Sequence, residues 1–571
     1  MPDRPTSTAP LRRRDARLGG VAVALATLAL MVGTEPRLAI VWDEGFTLGR
    51  EARIRAWFRA LADPKAFAST WVPPAPRSEL VQPDGTKAPG KAQVDTLAKL
   101  LSPKVVAWFW PFAREEPHGH PPFYAIEGLI GDWLAPSWAA LPRARLGPIL
   151  AFSLAGGVVF GFVGGRWGGW AGALAASSWA LQPNLFGHGH YATVDGLLAS
   201  LWVVALPAFA LAVGREGRSP GWGWAVAFGV VCGWAADSKL TGWFLPLPFV
   251  AWTLLYRDRK AWLTLVVGGL VGVVVLFAFN PCWWSEPVSG VARFFRSNLT
   301  RGKTIPIPVM FFGEVYDTPR ASLPWYNTLA WTVLVTPVGF LVLGMIGAGV
   351  GVVEGVRRLR TRPGPSPSAG FAALASLHWG FLLVLRAMPH TPGHDGVRLF
   401  LPAFGMLALL GGVGAAWAVG RWGRWGKALV VAAMVEGAAS VAVMMPVPLS
   451  YFSPVVGGLP GAARLGMEPT YFWDGLSDEA IDWLNAKTPP GRSVRFATFP
   501  TSWLYLKQTG RLTAPLAGVD PGRPRWLVVQ NRPSAFGEFG PVERQIFESA
   551  RPAFVVSKLG VPLVTIYPYP N

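Results

Sequence analysis

The chain lays down apolar runs long enough to cross a hydrocarbon layer of about 30 Å, with short polar connections between them. These runs fall near 19–41, 144–164, 168–187, 195–213, 222–237, 240–256, 262–280, 327–352, 371–388, 398–419 and 427–446. They predict about eleven membrane-crossing helices. Three stretches interrupt the pattern: a long loop over 45–142, a loop of about forty-five residues after Asn280, and the tail from 447. Within the first loop, 54–62 and 97–111 mix apolar and cationic positions as interfacial helices do, and Trp57, Trp108 and Trp110 suit that depth. From 477 the runs shorten and alternate, predicting helices at 477–485 and 542–549 and strands at 494–498, 526–529, 554–557 and 563–567. The expected fold is a polytopic α-helical membrane protein: a transmembrane body over 1–446, and an external segment over 447–571 that carries a small α/β domain.

Charge supplies the orientation. Lys and Arg cluster in every second connection, among them Arg12 to Arg14, Arg257 to Lys260 and Arg421 to Lys427, so the N-terminus is expected inside the cell membrane. The loops 45–142, 188–194, 281–326 and 389–397, and everything after 447, then lie outside. Only 15% of residues are charged, against about a quarter in an average soluble chain. The net charge of +19 sits largely in the inner connections, where anionic headgroups attract it, so no nucleic-acid partner is expected. No small-residue cleavage site follows the first run, which reads as an uncleaved span. Cys232 and Cys282 have neither a pairing nor a metal spacing.

Ionisable groups close to hydrocarbon are costly, so those at the outer ends of spans need an explanation. Asp43 and Glu44 leave the first span as an adjacent acidic pair. A solvated helix end is the plain reading; a carboxylate placed to deprotonate a hydroxyl is the functional one. His118 and His120 precede two prolines that hold an extended backbone, where a histidine can bond a substrate. His188, His190 and Asp195 share an outer turn and offer imidazole and carboxylate groups. Lys239 turns the chain between two spans, and either pairs with Asp237, reaches the headgroups or binds phosphate. Arg398 opens a late span with a planar fork suited to phosphate oxygens, and Arg301 and Lys303 add cations to the same side.

Four motifs, in this order, carry a resemblance: DEGF at 43–46, HPPFY at 120–124, SKLTG at 238–242 and DGVRLFLP at 395–402. Over about 20–475 the chain resembles the polytopic glycosyltransferases of the GT-C type, particularly the protein O-mannosyltransferase and aminoarabinose-transferase relatives of glycosyltransferase family 39. The resemblance implies inverting transfer of a sugar from a polyprenyl-phosphate carrier to a protein, glycan or lipid hydroxyl on the non-cytoplasmic side. Asp43 matches the position of the base, with Glu44 beside it to support it or touch the acceptor. Lys239 and Arg398 would neutralise the phosphate leaving group, and His120, Asp195, Arg301, Lys303 and Asp395 would line the substrate. The donor is the only cosubstrate implied. The second acidic motif of metal-dependent relatives has no clear counterpart, although Asp195 or Asp317 stands where one would serve, and no obligatory metal is expected. Two other classes compete, a membrane transporter and a non-catalytic scaffold that binds glycans or lipids.

Overall fold

The computed structural model describes residues 9–74, 87–110, 120–214, 221–304, 307–317, 321–360, 370–391, 393 and 395–570, with backbone alone at 301–304. Among the described residues, seven helices are long and apolar enough to cross a membrane: Arg13–Arg37, Ala140–Trp167, Val194–Val213, Arg259–Ala278, Val338–Arg360, Pro402–Trp422 and Arg424–Met444. Three shorter apolar helices, Trp222–Ala236, Leu240–Tyr256 and Phe371–Ala387, complete the set. All ten fall on runs read from the sequence, and the protein is a multi-pass membrane protein. Two runs differ from a single helix. The run at 168–187 divides into Gly169–Leu181 and Pro183–His190, and the run at 327–352 into Asn327–Val335 and Val338–Arg360. In each, the residue before a proline is extended, Gln182 at ψ 118° and Thr336 at ψ 131°, because the proline ring clashes with a helical predecessor. Gly169–Leu181 rises only about 20 Å, short of the hydrocarbon thickness.

Lipid gives helices no hydrophobic reason to associate, so close backbone contact between small residues takes over. A Cβ on Gly20 would stand 2.7 Å from the Gly157 carbonyl oxygen, and one on Gly157 would stand 2.6 Å from that of Gly20. Glycine at both positions lets the first helix lie directly on Ala140–Trp167. Gly347 and Gly414 do the same for Val338–Arg360 and Pro402–Trp422, since a Cβ on either would overlap a carbonyl of the facing helix. Val194–Val213 and Pro402–Trp422 are buried almost throughout and form the centre of the bundle. Leu25, Leu270, Val274 and Val435 point outward and are exposed, as a lipid-facing surface requires.

The first loop begins with one continuous helix, Glu44–Ala62, longer than the predicted segment. Its tryptophans correct the interfacial expectation: Trp57, Trp108 and Trp110 are buried in protein. Trp57 and Trp110 meet edge to face with centroids 5.3 Å apart, and Trp57 Nε1 donates to the Leu100 carbonyl at 3.1 Å. The loop folds back on itself, and large rings that bury much apolar surface are what such a small core needs.

The C-terminal segment follows its predicted order. A four-stranded sheet runs Arg492–Phe496, Arg523–Gln530, Val561–Pro568, Phe554–Lys558, flanked by the helices Asp478–Lys487 and Pro541–Ser549. The first pair is parallel and the other two antiparallel. A parallel pair needs a crossover, which contains the short helix Trp503–Gln508. The core of this unit takes in Ile40 and Leu141 from the transmembrane body, so the two share apolar surface. A hairpin of three-residue strands, Val309–Phe311 with Glu314–Tyr316, is too short to leave a periodic signal. Cys232 and Cys282 are both buried, and the Cys282 thiol donates to the Trp110 carbonyl.

Candidate active site

At one end of the bundle, five of the residues singled out by sequence converge. Asp195 lies in the first turn of Val194–Val213, where the helix dipole favours a carboxylate. Its Oδ1 accepts from Lys239 Nζ at 2.6 Å and its Oδ2 from Arg398 Nε at 2.8 Å. Arg398 Nη1 donates to Asp395 Oδ2 at 2.6 Å, and Arg398 Nη2 donates to Asp43 Oδ2. The guanidinium also lies 4.1 Å from the centroid of Phe472, an apolar wall that holds the fork in plane. One arginine thus ties together three carboxylates, the farthest of them 355 positions from it in the chain.

Local chemistry explains how each side chain arrives. Asp43 occupies the N-cap of Glu44–Ala62, yet makes no side-chain cap bond. Its backbone carbonyl accepts from the Phe46 and Thr47 N–H groups at 3.1 and 3.0 Å, so the carboxylate is left to face Arg398. Lys239 is fully extended after Trp222–Ala236, and Gly242 closes the turn; a Cβ there would overlap the Ala235 carbonyl, which accounts for the glycine of SKLTG. Asp395 and Gly396 are both left-handed, with φ of 42° and 62°, and the reversal presents Arg398 to the cluster. A non-glycine residue in that region stores strain that its ion pairs must offset.

Exposure grades the cluster. Asp195 is fully buried, Lys239 and Arg398 are buried, and the Asp43 side chain retains 28% of its surface. Asp43 is therefore the open edge of an otherwise closed set of charges.

Glu44, the neighbour of Asp43, belongs to another network. Its Oε1 and Oε2 take Arg145 Nε and Nη2, each at 2.7 Å. They also accept the Ala192 and Val41 N–H groups, each at 3.0 Å. Arg145 spends its remaining donors on Glu35 at 3.0 Å and on the carbonyls of Leu38 and Ala39 at 3.1 and 2.8 Å. Glu44 is 0% exposed, with every lone pair direction in use, and is placed to hold the chain rather than to meet a substrate.

The other sequence candidates separate. His120 packs edge-on to Tyr124, whose hydroxyl accepts from Arg50. Asp237 pairs with Asn280 Nδ2 at 3.1 Å, so the alternative in which it holds Lys239 is replaced by the Asp195 pair. His190 is taken up by the Phe186 carbonyl at 2.7 Å and by the Met31 carbonyl at 3.1 Å. His188 is buried between Tyr471, Phe472 and Tyr191, and burial pushes its pKa down to about 3, so the ring stays neutral beside Asp195. Among the described residues no three His, Cys, Asp or Glu side chains converge as metal ligands. The side chains of Arg301 and Lys303 lie outside the described residues.

Two contributors escaped the sequence reading. Arg145 stands inside an apolar run, and a charge there is a signal in itself. Arg532 follows a strand of the C-terminal unit, where an arginine reads as a solvated loop residue. Instead it is 5% exposed and its Nη1 lies 2.8 Å from Asp395 Oδ1.

The fold and the site define a multi-pass helical protein with a charged cluster at one end of its bundle. Residues 137–284 match the family model described as dolichyl-phosphate-mannose-protein mannosyltransferase. That stretch holds Asp195 and Lys239 but neither Asp43 nor Arg398, and it points to the same group of enzymes as the four motifs. Among solved structures, the chain is similar to ArnT from Cupriavidus metallidurans bound to undecaprenyl phosphate, at 16% identity, with 96% of this chain and 97% of that chain covered and a TM-score of 0.47. It is also similar to the oligosaccharyltransferase of Archaeoglobus fulgidus in the apo form, at 11% identity, with 89% of this chain and 69% of that chain covered and a TM-score of 0.44. No curated protein matches.

Proposed function

We propose that the protein is an inverting membrane glycosyltransferase that moves a sugar from a polyprenyl-phosphate carrier to a hydroxyl acceptor on the non-cytoplasmic face of the cell membrane. One observation carries the reading: Asp43, the accessible carboxylate, shares Arg398 with the buried Asp195–Lys239 pair. A base and two cations thereby stand within the span of one guanidinium.

In the proposed reaction Asp43 takes the acceptor proton as the hydroxyl oxygen attacks the anomeric carbon from the face opposite the phosphate. The bond from that carbon to the phosphate oxygen breaks, its electron pair leaves with the phosphate, and Lys239 and Arg398 neutralise the charge that develops. An arriving phosphate competes with Asp43 for the fork of Arg398, so donor binding frees the base it needs. Asp195 keeps both cations in place. Glu44, Arg145 and Glu35 hold the turn from which Asp43 projects. No nucleotide takes part.

The test uses purified full-length protein with polyprenyl-phosphate hexose, pentose and amino-sugar donors, and measures transfer to hydroxyl acceptors. Wild type is expected to consume at least one donor, and Asp43→Asn to bind polyprenyl phosphate while losing transfer. A wild type that leaves every donor untouched removes the enzyme reading; full turnover by Asp43→Asn removes the base assignment alone.

A further inference from the structure

The Asp43–Arg398 pair is held from the transmembrane side by Asp195. A second grip comes from the C-terminal unit, through Arg532. Its Nη1 forms an ion pair with Asp395 Oδ1 at 2.8 Å, while the other oxygen of Asp395 holds Arg398 at 2.6 Å. The same guanidinium lies 5.2 Å from the centroid of the Trp473 ring. Trp473 in turn packs on Trp42 with centroids 5.2 Å apart, and Trp42 is the residue before Asp43. Arg532 therefore touches Asp395, which holds Arg398, and Trp473, which packs on the residue before Asp43.

The anchoring of Arg532 is complete. Nη1 donates to the Tyr471 carbonyl at 3.0 Å and Nη2 to the Pro308 carbonyl at 3.1 Å, and Glu468 stands 3.7 Å from Nε. Both of its immediate contacts are strained: Asp395 has φ 42° and Trp473 φ 63°, left-handed conformations that non-glycine residues adopt only when surroundings impose them. Two strained positions from different elements, clamped by one buried arginine, mark a place where geometry is set rather than tolerated. The unit also reaches the residue before the base, since Thr501 Oγ1 donates to the Trp42 carbonyl.

We propose that Arg532 is a positioning residue: through Asp395 and Trp473 it fixes the separation of Asp43 and Arg398, so the C-terminal unit is part of the active site. The inference rests on the glycosyltransferase reading of that pair. Without Arg532, Asp395 loses a counter-ion and Trp473 a partner, and both arms relax; the phosphate cations Lys239 and Arg398 keep their bonds to Asp195.

The experiment compares wild type, Arg532→Met and Arg532→Lys as full-length protein in detergent. It reads the thermal midpoint, the Kd for sugar-free polyprenyl phosphate, kcat for transfer, and amide hydrogen exchange at 393–401 and 470–476. Arg532→Met is expected to lower kcat about 10- to 100-fold with Kd within about threefold of wild type, and to raise exchange in both segments. Arg532→Lys, which keeps the charge but loses the fork, is expected to recover part of kcat. In an Asp43→Asn background, Arg532→Met is expected to add little further loss, because both changes act on one step. A folded Arg532→Met with kcat within twofold of wild type overturns the proposal, as does a loss carried entirely by Kd. A wild type inactive on every donor defeats the glycosyltransferase reading instead. In that event unchanged exchange in both segments of Arg532→Met overturns the positioning role on its own.

Discussion

Asp43 and Glu44 are neighbours in sequence and opposites in structure. Glu44 is sealed: a bidentate arginine, two backbone N–H groups and zero exposure leave its carboxylate no capacity for anything else. Asp43 keeps 28% of its side-chain surface and, among the described residues, one ion pair, to an arginine whose other donors are already committed to Asp195 and Asp395. The contrast shows how a costly buried charge becomes useful. A pair that satisfies itself entirely serves as a rivet, whereas a pair left with one accessible edge can exchange its partner for a ligand.

The sharpest way to break this contrast is to remove one charge from each half. Asp43→Asn is expected to lower transfer by about 10²- to 10⁴-fold, the usual range for losing a general base, with a stability change of about 1 kcal/mol or less because the site is partly solvated. Rate assays and thermal unfolding on the same preparation check both statements. Arg145→Met leaves Glu44 and Glu35 buried without their cation and is expected to destabilise the protein by about 3–5 kcal/mol. Adding Glu44→Gln should recover part of that loss. If Arg145→Met unfolds at the wild-type temperature, the rivet description is wrong.

Most of the fold was legible because lipid imposes the strongest constraint on sequence that a protein meets: spans must be apolar and about twenty residues long. What hydropathy left out were the breaks at Pro183 and Pro337, which a composition window averages away. The alternation of the C-terminal unit was legible for the same reason as the spans, since burying one face of a sheet writes a period of two. In the site, Asp43, Lys239 and Arg398 could be singled out as charges at span ends. The pairings could not: the Asp195–Lys239 bond joins turns 44 positions apart, and the Asp395–Arg532 pair joins the bundle to a domain behind a strand. Nothing local marks either residue as the other's counter-ion. Trp57 and Trp110 misled because an amphipathic aromatic satisfies a membrane interface and a small loop core equally well.

Glu127 extends the comparison to a carboxylate buried without a cation. It lies in the short helix Phe123–Gly128, 5% exposed, and burial pushes its pKa up to about 8. In the unfolded chain a glutamate titrates near 4.3. Between these values the folded state holds a proton the unfolded state has released, so stability is greatest below about pH 4 and falls as pH rises towards 8. The slope is about 1.4 kcal/mol per pH unit, or about 2–3 kcal/mol between pH 5.5 and 7.5. Glu127→Gln should remove that share, visible as a flatter dependence of the unfolding midpoint on pH. A Glu127→Gln protein whose unfolding midpoint keeps the wild-type dependence on pH would mean that this buried carboxyl carries no share of it.

The smallest effect tests how closely the open half depends on its fit to the C-terminal unit. Gly45 follows the acidic pair, and a Cβ there would stand 2.5 Å from the Thr501 carbonyl oxygen and 2.9 Å from the Ser502 nitrogen. Both are backbone atoms, so no side chain can swing aside, and the turn or the unit must move by several tenths of an ångström. Overpacking of this kind costs about 1–3 kcal/mol. Gly45→Ala should therefore lower the thermal midpoint modestly, while the Glu44–Arg145 rivet holds the helix start against the bundle. The displacement falls on the Thr501 contact with the Trp42 carbonyl and so on Asp43, which makes kcat the parameter expected to drop, with polyprenyl-phosphate affinity nearly unchanged because Lys239 and Arg398 keep their bonds to Asp195. A Gly45→Ala protein with wild-type kcat would mean that the base tolerates movement of its turn, and the sealed and open halves would then be independent of how the C-terminal unit is seated.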